Sequence, residues 1–136
     1  MNLAAHLLRN AKRDPGGPAL GRGAAVVADW AGMAAQVAKL AGGLRALGYA
    51  PGTRIAIVAA NSTDYAVAIY AIWWAGYAAV PVNVKLHPKE LAYCLDHSQA
   101  ALVFHSRDLG ESVAATGTNA RRVEIGGAEW HRLFVE

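Results

Sequence analysis

The segment spanning residues 72–83, IWWAGYAAVPVN, does most to limit what this chain can fold into. It joins the end of an apolar helix to a glycine break at Gly76 and then to a short apolar strand. Such a unit asks for burial on more than one side. It lies within a longer stretch, residues 65–84, that carries no charged side chain. Roughly 20 such residues are enough to span a bilayer. Gly76 and Pro81 interrupt the second half, however, alanine is abundant, and AAVPV reads as a buried strand. A helix–turn–strand unit inside a soluble domain is therefore expected, and a transmembrane segment is not.

The flanking residues extend this pattern. Residues 2–13 read as an amphipathic helix capped by Asn2, with Leu3, Leu7, Leu8 and Ala11 on one face. Asp14-Pro15-Gly16-Gly17-Pro18 stops it. Residues 19–28 read as a hairpin turning at Gly21-Arg22-Gly23. Asp29 is an N-cap for a long helix whose Met33, Val37, Leu40, Leu44 and Leu47 fall on one side, and Gly48 suits a left-handed end. A strand is predicted over 54–59, then a helix capped by Asn61 or Ser62, with Asp64 near its positive end, running to about Ala75. That helix is apolar nearly all round, which predicts a central, buried position. Strands over 78–82, 101–105 and 122–125 alternate with a helix opened by Pro88, carrying Leu91 and Leu95, and a weaker one over 108–115. The alternation predicts an α/β fold: a mainly parallel sheet with helices on both faces. The whole chain, 1–136, is expected to be one subdomain, with a helix and hairpin over 1–28 and the alternating unit over 29–136.

Several function classes fall away on composition and motifs. A hydrophobic fraction of 54% against 17% charged excludes a disordered chain. The net charge of +3 comes from scattered residues with no basic run, so no nucleic-acid surface is expected. Cys94 is the sole cysteine, which rules out an internal disulfide and suits a reducing, cytoplasmic location. The first residues are interrupted by His6 and Arg9 and do not form a secretory signal. Gly21 and Gly23 begin a G-x-G-x-x-G pattern, but Val26 stands where the third glycine should be, and no glycine-rich loop ends in Gly-Lys-Ser or Gly-Lys-Thr. Gly42-Gly43 and Gly126-Gly127 are better explained by packing or turns. Cys94 and His97 share a helix face, but two ligands do not make a structural zinc site, which wants four. Ser62, Ser98, Ser106 and Ser112 all lack a nucleophile frame; Ser62 reads as a helix cap and Ser98 as a helix end. Trp73 and Trp74 point about 100° apart on a helix, which favours core packing over a stacking platform.

Taken in order, the motifs resemble those of the adenylate-forming enzymes, which include acyl-CoA synthetases, luciferases and peptide-synthetase adenylation domains. The IWWAGYAAVPVN segment is similar to a core motif of that superfamily, and its Pro81-Val82-Asn83 ending leans toward the acyl-CoA synthetases. Residues 2–20 are similar to the family's opening helix and its entry to the first strand. Asp29-Trp30-Ala31-Gly32-Met33 stands where these enzymes show Thr-Tyr-x-Glu-Leu; Gly32 replaces the glutamate, so that capping box is lost. Gly43-Leu44-Arg45-Ala46-Leu47-Gly48, Pro51-Gly52-Thr53-Arg54-Ile55-Ala56, Asn61-Ser62 and Leu86-His87-Pro88-Lys89-Glu90-Leu91 resemble further family passages, with His87 at a capping position. The resemblance implies a parent that activates a carboxylic acid, read here as a fatty acid, with ATP and magnesium and then transfers it to coenzyme A. The family's phosphate loop, adenine- and ribose-binding segments, hinge and C-terminal lysine would all lie beyond Glu136. No catalytic, cofactor-binding or metal residue is therefore assigned within 1–136, and the chain is expected to act as scaffold, inactive alone, with the rest of the parent polypeptide as its partner. Two alternatives remain open: a free-standing α/β binding or interaction domain, and an adenylation domain of another branch.

The last residues, Trp130-His131-Arg132-Leu133-Phe134-Val135, read as an apolar tail cut before its packing partner. Exposed apolar edges of this kind favour self-association. The chain is expected to purify as a dimer or larger, and a clean monomer in light scattering would count against that.

Overall fold

The computed structural model describes residues 1–135. Four parallel strands form the main sheet, β3 (Arg54–Val58), β4 (Ala78–Pro81), β5 (Leu102–His105) and β6 (Arg121–Glu124), in the order β4-β3-β5-β6. A separate antiparallel hairpin pairs β1 (Pro18–Arg22) with β2 (Ala25–Asp29). The helices are α1 (Ala5–Arg13), α2 (Trp30–Ala46), α3 (Thr63–Trp74), α4 (Pro88–Ser98), α5 (Gly110–Ala115) and α6 (Ala128–Leu133). This is the expected mainly parallel α/β arrangement.

The strand side chains alternate between two cores, as the period of 2 requires. Ile55, Ile57, Leu102, Phe104 and Val123 face α2, α3 and α6. Ala56, Val58 and Val103 face α4 and α5, where Leu91, Leu95 and Val113 meet them. Neither central strand has a polar face, so each needs helices on both sides.

Local chemistry sets the helix ends. Asp29 Oδ1 accepts the Gly32 N–H at 2.7 Å and starts α2 without the glutamate of a full capping box. Met33, Val37, Leu40 and Leu44 are all buried. Gly48 then takes φ +79°, a left-handed turn that glycine enters freely. His87 Nδ1 accepts the Lys89 N–H at 3.2 Å, and Glu90 reaches back to the His87 N–H at 3.4 Å, which opens α4.

Tertiary contacts override the sequence-based expectation in five places. Helix α1 starts at Ala5, and it buries Ala4 and Leu7 while Leu3 and Leu8 stay 48% and 40% exposed. Only one narrow stripe meets the body of the protein. The hairpin turns at Gly23-Ala24, two residues on, where Gly23 takes φ +60°. Helix α3 lies on one face of the sheet, so Tyr70, Trp73 and Trp74 on its outer side are only half-buried. Strand β4 is an edge strand and half-buried. Ala78 and Val82 donate to β3, so the intervening Pro81 points outward and its missing N–H costs no ladder bond.

The fifth difference is the tail. It is folded back as α6, with Trp130 only 2% exposed and Leu133 buried. Trp130 meets Phe104 edge to face, ring centroids 5.3 Å apart, and Phe134 at 5.2 Å. The close approach is made at Gly43 of α2, where a Cβ would run into the Leu133 carbonyl. The Val135 N–H donates to the Lys39 carbonyl at 3.2 Å. Gly43 is thus a packing glycine. An alanine at an ordinary helix site stabilises by about 1 kcal/mol relative to glycine. Gly43→Ala should instead destabilise by about 1–3 kcal/mol through overpacking, with a red shift of tryptophan emission as α6 lifts. Urea unfolding checks this, and a more stable variant with unchanged emission would show that α6 does not dock there.

Candidate functional site

In an open parallel sheet, strand ends converge where the winding reverses. Here β3 leads to β4 on one side, and the chain then crosses back to place β5 on the other side of β3. The reversal therefore lies at the carboxyl ends of β3 and β5. The residue after β5 is tied to the last residue of β3: the Ser106 N–H donates to the Val58 carbonyl at 3.2 Å. Asn61 and Ser62 follow β3, and Ser62 Oγ accepts the Tyr65 N–H at 3.0 Å to open α3.

His105 and Ser106 stand at the end of β5. His105 is 7% exposed, a buried polar residue in a sheet otherwise packed with apolar ones. Its Nδ1 lies 2.9 Å from the Ser106 carbonyl oxygen. Its ring closes over Gly110, where a Cβ would sit 3.2 Å from Cε1. The Ser106 hydroxyl is buried and has no hydrogen-bond partner among the described residues. His105 thus bonds the serine's backbone and not its hydroxyl, so the pair is not set up as a nucleophile and base.

Beside this reversal, the ends of β3 and β4 frame a cavity of about 410 Å³. Ala59, Pro81 and Val82 supply apolar wall, and Asn61, Tyr65 and Asn83 supply the polar groups. Asn83 Oδ1 accepts the Lys85 N–H at 2.9 Å, which fixes the side chain in a turn. Burial disfavours the phenolate and raises the Tyr65 pKa above 10.0. The cavity is of a size and make-up that can hold part of a small molecule. It contains no charged side chain. A second crevice of about 390 Å³ lies between the hairpin and the start of α3, beside Arg22, Asn61 and Thr63.

These groups are suited to binding and positioning an uncharged part of a ligand. Among the described residues no three histidine, cysteine or carboxylate side chains converge. Cys94 is half-buried, and His97 is exposed and stacked on Tyr93 with ring centroids 5.2 Å apart. Ser62 is a helix cap, and Ser98 ends α4 with its hydroxyl on the Leu95 carbonyl at 3.3 Å. The carbonyls of Trp73 and Trp74, at the end of α3, accept from Asn2 Nδ2 at 2.6 Å and from an Arg45 guanidinium nitrogen at 2.9 Å. Among the described residues no helix is long and apolar enough to cross a membrane. Sequence reasoning gave Tyr65, Asn83 and the Ser106 hydroxyl no role in a site. Asn83 and Ser106 stand just beyond predicted strand ends, and Tyr65 lies in the first turn of the helix capped by Ser62.

Comparison with known proteins is consistent over almost the whole chain. A family model described as AMP-binding enzyme matches residues 7–129. Feruloyl-CoA synthases of Amycolatopsis sp and Streptomyces sp are each 35% identical over 108 residues, 79% of this chain and 22% of theirs. A long-chain-fatty-acid–CoA ligase of Thermus thermophilus is 33% identical over 86 residues, 63% of this chain and 16% of that one. Among solved structures, a fatty acyl CoA synthetase of Mycobacterium tuberculosis superposes with a TM-score of 0.85 at 26% identity, covering 97% of this chain and 28% of that one. A benzoate CoA ligase of Burkholderia xenovorans superposes at 0.80 with 27% identity, covering 91% and 25%. The chain thus spans about a fifth of the length of the feruloyl-CoA synthases it matches.

The desolvated phenol gives a test of the cavity. A raised folded-state pKa means that stability is fully present below the unfolded value of 10.0 and is lost as pH rises through the folded one. Tyr65→Phe should lose less stability on going above pH 10.0 than the parent chain. Denaturant midpoints measured across that range decide it; identical pH dependence in both would mean that the Tyr65 phenol is not desolvated in the folded chain.

Proposed function

Since the chain belongs to the AMP-binding enzyme family, we propose that residues 1–136 are the N-terminal subdomain of a cytoplasmic, ATP-dependent acyl-CoA synthetase. That enzyme joins a fatty acid to coenzyme A through an acyl-adenylate. The supporting observation is the co-extensive match: sequence and fold agree with such ligases across nearly the whole chain, while their own length runs far past it. In this reading the subdomain is scaffold. Its two-sided core holds the sheet rigid, and the uncharged carboxyl edge around Asn61, Tyr65 and Asn83 forms part of an active-site wall that excludes water. Adenylation needs magnesium and cationic groups to offset phosphate charge. The described residues offer no converging ligand set, so those contacts fall to the remainder of the polypeptide.

An aromatic acid is the second reading, favoured by the two feruloyl-CoA synthases, which match a larger share of the chain than the Thermus ligase does. Exposed Val26 and Val27 on β2, with Leu3 and Leu8 on α1, support self-association of the isolated chain.

The test is a chimera. Residues 1–136 replace the matching segment of the Mycobacterium tuberculosis fatty acyl CoA synthetase, and acyl-CoA formation is measured with palmitate and with ferulate. The chimera should form acyl-CoA, while the chain alone should release no pyrophosphate from ATP. A folded but inactive chimera would favour a free-standing binding domain. Pyrophosphate release by the chain alone would remove the scaffold reading.

A further inference from the structure

A cleft of about 660 Å³ opens at the opposite, amino-terminal edge of the sheet, between α4 and the loop that links α5 to β6. Its floor is apolar: Leu95, Ala100 and Ala120 are all buried. Ala100 and Ala120 lie just before β5 and β6, so the cleft is separate from the cavity around Asn61 and Asn83. An apolar floor under a polar rim, at this volume, is the usual form of a small-molecule site. We propose that the cleft is a second ligand site, built for a flat, uncharged nitrogen heterocycle with a mixed donor–acceptor edge, such as a purine nucleoside carries.

Three features select that chemistry. The first is an aromatic platform. Tyr93 is 64% exposed, and one face of its ring is stacked on His97 with an interplanar angle of 11°. Tyr93 lines the cleft together with Lys89 and Ala92, whereas its stacking partner His97 does not. A π-face held in this way stacks on planar heterocycles.

The second feature is a pair of amides. Gln99, at the end of α4, and Asn119, in the loop after α5, both line the cleft. Gln99 is the one non-glycine residue with positive φ among those described, at φ 52° and ψ 41°. Glycine is the ordinary residue at this left-handed helix end. A glutamine there keeps a primary amide at the mouth of the cleft at a cost to the backbone. Asn119 sits in a loop pinned by its threonines: Thr116 Oγ1 donates to the Val113 carbonyl at 2.6 Å and accepts the Thr118 N–H at 3.3 Å, and Thr118 Oγ1 accepts the Ala120 N–H at 3.1 Å. The Thr116 hydroxyl is thus committed both as donor and as acceptor and that of Thr118 as acceptor, whereas neither side-chain amide makes a hydrogen bond to the described residues. Each amide offers one donor and one acceptor side by side, the pairing that an adenine edge requires.

The third feature is charge. The rim carries Lys89 and Asp96 one on each side of Tyr93, with no further charged group. Opposite signs cancel at a distance, so nothing in the cleft favours a phosphate or a carboxylate over a neutral ring.

Adenosine titrated into the 136-residue chain, followed by two-dimensional amide NMR, tests the assignment. Saturable shifts should appear over residues 93–100 and 116–120 and leave Asn61 and Asn83 unmoved. Tyr93→Ala and Gln99→Gly should each weaken binding about tenfold or more, the scale of one lost base-stacking contact. Gln99→Gly should also raise the thermal midpoint, because glycine relieves the left-handed backbone; lost binding in a more stable variant cannot be lost folding. Absence of saturable shifts, shifts confined to the carboxyl edge, or unchanged affinity in both variants would overturn the site. None of these readings depends on ligase activity.

Discussion

Two-sided burial of β3 and β5 governs this structure. Ile55, Ala56, Ile57 and Val58 are all buried, as are Leu102, Val103, Phe104 and His105. A strand with no solvent face must be covered above and below, and only helices brought in by crossover connections can do that within one chain. Helices α2, α3 and α6 therefore take one face and α4 and α5 the other. Reversing the direction of winding after β4 is what brings both faces under cover.

That reversal sorts polar from apolar surface. The two central strands bury one polar side chain, His105, among the described residues, so hydrogen-bonding groups collect at the carboxyl edge, where Asn61, Ser62, Asn83 and Ser106 follow the strand ends, and at the rim of the α4–α5 cleft. The ends of α3 show how tightly this is tied. Ser62 satisfies its first turn, while Asn2 and Arg45 satisfy its last carbonyls from two other helical segments. Tyr77, at the end of the glycine break, sends its hydroxyl to the Leu44 and Tyr49 carbonyls at 3.4 and 3.3 Å. The most apolar segment of the chain is thus also the one that locks α2 to the sheet.

The cavity at the ends of β3 and β4 can hold an uncharged group, and no charged side chain lines it. The chain belongs to the AMP-binding enzyme family and spans about a fifth of the length of the feruloyl-CoA synthases it matches.

The sequence by itself determined the helices and parallel strands, because their signals are local. Asp29 and Ser62 cap from three residues away, Met33 to Leu44 repeat at helical spacing, and RIAIV and LVFH are apolar without alternation. It also carried the family resemblance, through motifs whose order survives along the chain. Only the tertiary structure decided the rest. Pro81 reads as part of a buried strand until β4 is seen at an edge. The residues from Trp130 to Phe134 read as a loose tail until Gly43 is seen to admit the Leu133 carbonyl. Leu3 and Leu8 read as core until α1 is seen to dock on a single stripe. Tyr65, Asn83, Gln99 and Asn119 belong to cavities whose walls come from segments far apart in the chain. No local periodicity records such a contact, because the energy that selects it comes from packing between elements and not from the propensity of any one of them.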